Sequence, residues 1–79
     1  MTERHDHREV GTLTAADLGK PCRIEWEGWT HTGTLREAEH ALSMGRAHTF
    51  VIVNSESGAS WMKHLPTDHP IAVRVEETA

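Results

Sequence analysis

From Cys22 to Val75, apolar and polar positions trade places at a period of two. Cys22, Ile24 and Trp26 share one parity and Arg23 and Glu25 the other, the alternation of a half-buried strand. Glu27-Gly28 supplies a turn, and residues 29–40 predict a longer second strand. There Trp29, Gly33 and Leu35 face one way, and Thr30, Thr32, Thr34 and Arg36 the other. Gly33 in mid-strand predicts a bend or bulge. Residues 41–48 read as a loop or short helical excursion. Residues 49–53 are continuously apolar and β-branched, which predicts a central, best-buried strand. A turn over 54–58 leads to a fourth strand over 60–65. A proline-bounded corner over 66–70 precedes a fifth over 71–76, with Ile71, Val73 and Val75 inward.

The start of the chain differs. Residues 1–11 show no hydrophobic periodicity and read as a disordered tail, leaving one domain over residues 12–77. Residues 13–19 carry the signals of a single helical turn. Thr14 caps it and Asp17 follows three residues later. Leu13 and Leu18 have staple spacing, and Gly19 and Pro21 end it. The predicted fold is mainly β: five strands strongly bent into a small barrel, after a short N-terminal helical turn.

Composition narrows the function classes. With 79 residues and one cysteine, the chain is one small domain without a disulfide framework, and no apolar run is long enough to span a membrane. The opening residues lack a basic start followed by an apolar stretch, so the expected location is cytoplasmic. Eight basic residues stand against twelve acidic ones, a formal charge of −4, which disfavours a nonspecific nucleic-acid binder. Six of the eight are Arg, a bias that resembles GC-rich actinobacteria and their phages.

Gly28, followed by Gly33-Thr34-Leu35-Arg36, resembles the turn glycine and Gly-x-Leu bend of the first Sm motif. The helical turn and bent strands over 13–76 likewise resemble the Sm-like and SH3-like small barrels. The resemblance implies a barrel that binds RNA or assembles with copies of itself. The asparagine of the RNA-binding Sm proteins has no counterpart over 38–44, nor has their Arg-Gly pair over 63–68. A chain with no Tyr and one Phe does not build the aromatic groove of a peptide-binding SH3 domain.

The candidate binding residues are Trp29, Arg36, His40, Arg46, His48, Trp61 and Lys63. Trp26 reads as core, and an exposed Trp29 or Trp61 would be an anchor for a partner. Arg36, His40, Arg46 and His48 would make a cationic patch, and Arg36, Arg46 and Lys63 would touch phosphates if the ligand were RNA or single-stranded DNA. No catalytic constellation is present. Cys22 lies on an apolar face and reads as an inert thiol. His5-x-His7 with Asp6 has chelating spacing, and His64 and His69 flank the Pro66 corner. Neither group comes with a cysteine pair or HExxH, so no metal and no cofactor is expected. The leading expectation is a non-enzymatic module that binds a protein partner or itself, the concrete version being pairing through 61–65 and 71–75. Nucleic acid and a small anionic ligand are the alternatives.

Overall fold

A computed structural model describes residues 4–75. Six antiparallel strands form one sheet: β1 (Arg4–Glu9), β2 (Pro21–Trp26), β3 (Trp29–Ser43), β4 (Arg46–Asn54), β5 (Ser60–Pro66) and β6 (Pro70–Val75). Their order across the sheet is β1-β6-β2-β3-β4-β5. The sheet does not close into a barrel, so the expected five-stranded barrel is corrected to a six-stranded open sheet whose edges are β1 and β5. The additional strand is β1, which pairs with β6 from Arg4↔Val75 to Glu9↔Pro70. The tail read over 1–11 is therefore replaced by a strand at Arg4–Glu9, and residues 1–3 lie outside the described residues. Arg4–Glu9 is exposed along nearly its whole length, so it shows no apolar alternation for a pattern to detect.

The sheet coils strongly. Three strand spacings of about 4.8 Å would separate β2 from β5 if it were flat. Yet Lys63 Nζ of β5 lies 5.4 Å from the centroid of the Trp26 ring on β2. Coiling gathers one core from the concave face: Val10, Leu13, Cys22, Ile24, Leu35, Val51, Val53, Leu65, Ile71 and Val73. Trp26 and Trp61 only lean against this cluster, and Trp29 is 73% exposed. The interior is thus aliphatic, not filled with tryptophan.

Glycine enables the tightest approach. A Cβ on Gly33 would run into the carbonyl of Asn54 and the Cα of Ser55, so the β4–β5 turn rests directly on the β3 backbone there. The register irregularity falls later, between Leu35 and Glu37, and leaves Arg36 as the extra residue of a bulge. Residues 41–48 continue the β3–β4 pairing instead of forming a loop, and the hairpin turns at Met44-Gly45 with positive φ at both residues (52° and 76°). This arm is exposed and contributes to a long dimension of 45 Å.

Two single-turn 3-10 helices, Val10–Thr12 and Ala15–Asp17, join β1 to β2. The second carries the expected Thr14 cap, and Asp17 completes it as a capping box: Thr14 Oγ1 accepts from the Ala16 amide at 3.3 Å and Asp17 Oδ2 from the Thr14 amide at 2.8 Å. Leu13 is buried in the core, whereas its expected staple partner Leu18 is 43% exposed. The Arg8 guanidinium grips Asp17 with both terminal nitrogens, at 2.7 and 3.0 Å, which binds β1 to this turn. The Arg8 hydrogen bond holds the buried Asp17 carboxyl at a pKa of about 2 against the opposing effect of desolvation.

Candidate interaction surface

The two edges of the sheet differ in sequence. Edge strand β1 reads RHDHRE, and charge along an edge guards it against pairing with another chain. Edge strand β5 reads SWMKHLP, with Lys63 and Pro66 as its only comparable guards. No described strand pairs with the outer side of β5.

The register of β4 and β5 sorts their side chains. Thr49, Val51 and Val53 face the core opposite Leu65, Lys63 and Trp61. Phe50 and Ile52 face outward, opposite His64 and Met62. Met62 is 57% exposed and Phe50 and Ile52 are half-buried, so an apolar stripe runs over the outer face beside the open edge. Residues 49–53 read as uniformly buried because their outer half is as apolar as their inner half. In the structure β4 lies between two strands but is buried on one face only. Met62 carried no signal, since it occupies the parity opposite Trp61 and Leu65, and His64 was read only with His69 across the Pro66 corner.

The expected site residues do not gather in one place. His40 points to the concave side: its ring meets Thr49 Oγ1 at 2.8 Å through Nδ1 and the Leu13 carbonyl at 2.7 Å through Nε2. A carbonyl only accepts, so Nε2 carries a hydrogen and donates. His40 thereby pins the base of the β3–β4 arm to the segment before β2. His48 lies one position before Thr49, on the opposite face from His40. Arg46 opposes Ser43 next to the hairpin turn, and Arg36 sits in the bulge. The expected cationic patch of Arg36, His40, Arg46 and His48 is therefore corrected to residues spread over both faces.

Trp61 stacks on His31 with centroids 4.1 Å apart and planes 13° off parallel. Trp26 packs edge-on against His69 at 5.2 Å and its Nε1 donates to Glu27 Oε1 at 3.0 Å. With Lys63 over Trp26, these groups satisfy one another at the mouth of the coiled sheet, and Trp29 stands exposed at its rim. His64 and His69 separate: His69 Nε2 donates to the Glu25 carbonyl at 2.8 Å, whereas His64 packs with His48 and Phe50.

Cys22 is 2% exposed, and burial pushes its thiol up to about 11, so it stays protonated at neutral pH. Among the described residues, no group of three His, Cys, Asp or Glu side chains converges as a complete metal site, and no helix is long and apolar enough to cross a membrane. No protein-family model matches the chain, and no curated protein or solved structure matches it either.

Proposed function

We propose that this chain is a non-enzymatic protein-interaction module that associates through the outer edge of β5, with a second copy as its partner. The carrying observation is the open, lightly guarded edge Ser60–Pro66 beside the outward stripe Phe50, Ile52 and Met62. Backbone pairing along such an edge supplies directionality, and burial of the stripe supplies the driving force. β6 takes no part, because β1 and β2 already occupy both of its sides. The likeness to Sm-like and SH3-like folds belongs to the same reading, supported by the Gly28 turn and the Gly33-Thr34-Leu35 segment. A phosphate track has less support, since Lys63 lies over Trp26 and Arg46 beside the hairpin turn. Sedimentation equilibrium tests the reading. The wild-type chain is expected to dimerise in the micromolar range, and Met62→Lys is expected to weaken the dimer at least about tenfold while the fold survives. A wild-type chain that stays monomeric at high micromolar concentration overturns the proposal.

A further inference from the structure

The same outer face carries a pair of imidazoles that strand pairing does not require. His64 opposes Phe50, and His48 opposes Pro66 two residues away, so the two histidines are diagonal neighbours on β4 and β5. Their ring centroids lie 5.0 Å apart at an interplanar angle of 71°. Glu39 of β3, opposite Phe50, helps line the shallow depression of about 170 Å³ that holds both rings. Both ring nitrogens of His40 and Nε2 of His69 are engaged by the protein, and His31 is stacked on Trp61. The contacts of His48 and His64 are ring packing against each other and Phe50.

Two imidazoles on one tetrahedral ion, with metal–nitrogen bonds of about 2.0–2.1 Å, hold their ligating nitrogens about 3.4 Å apart. Ring centroids 5.0 Å apart bring the nitrogens of His48 and His64 within range of that spacing. Two nitrogens and one nearby carboxylate do not complete a closed site, in keeping with the absence of a three-ligand group among the described residues. The open edge offers the completion. Antiparallel pairing of β5 with β5 of a second copy relates the two outer faces by a dyad and brings a second His64 to the same surface.

We propose that His48 and His64 form half of a binding site for a divalent transition-metal ion of the zinc or nickel type, completed by a second copy across the paired β5 edges. Imidazole selects such ions over magnesium or calcium. The inference rests on the association proposed above. It leaves out His5 and His7, which lie on β1 at the opposite edge of the sheet from β5.

Sedimentation equilibrium of the full chain, with zinc chloride and then with chelator, tests the site. Zinc is expected to tighten the dimer about tenfold or more, in the wild type and in a His5→Ala/His7→Ala variant alike. A His48→Ala/His64→Ala variant is expected to lose the response, read as the ratio of its own dimer constants with zinc and with chelator. A dimer that zinc leaves unchanged, or a response undiminished in His48→Ala/His64→Ala, overturns the metal site and leaves the edge reading standing. A chain that is monomeric with zinc and with chelator overturns both.

Discussion

Asp17 shows how one buried carboxylate can organise a junction. It accepts from Arg8 and from the Thr14 amide, and Lys20 Nζ approaches within 3.7 Å. Its pKa in the folded chain is about 2, against an ordinary 3.8. A lowered pKa means that Asp17 stabilises the fold fully above about pH 5, and that this contribution fades as pH falls toward 2. The shift corresponds to about 2 kcal/mol at neutral pH. Asp17→Asn is therefore expected to lower stability by about that amount at pH 7, with the two denaturation curves converging near pH 2. Gly33 is the opposite kind of residue, important for what it lacks. Gly33→Ala drives a methyl group into the backbone of Asn54 and Ser55, and chemical denaturation is expected to show a loss of more than about 2 kcal/mol.

At the scale of elements, alternation and turn chemistry made β2, most of β3, β4, β5 and β6 legible, because each buries one face. The Thr14 cap was legible for a local reason, since it needs only its own short stretch of backbone, whereas the return bond from the Thr14 amide to Asp17 came from the structure. Arg4–Glu9 and the arm over 41–48 were not. Both form through backbone pairing while their side chains stay in water, so they write no period into the sequence. The interaction surface was hidden differently. Phe50 and Ile52 looked like core, and only the register shows that they face outward beside Met62. His40 looked like a ligand-binding group, and the bond to Leu13, twenty-seven residues away, that makes it a structural pin has no local signature. The arm's turn carries its own prediction. Met44 is 99% exposed and has φ 52°, a left-handed conformation that asparagine adopts more readily. Met44→Asn is expected to stabilise the fold by about 0.5–1 kcal/mol, read as a rise in Tm of a few degrees. A fall in Tm would show that the methionine is held by contacts that turn geometry does not provide.

For the whole molecule, an open sheet with one core has two rims, and here they are unequal. The outward apolar stripe and the paired imidazoles lie beside β5, so the proposed association and the proposed ion site share one surface. A charged first strand has a further consequence. Head-to-tail stacking of sheets needs two receptive rims on every molecule, and Arg4–Glu9 withholds one of them. Under the proposed association, growth by strand addition would therefore terminate once two molecules have met, and a protein that is largely sheet would be kept from polymerising into fibres.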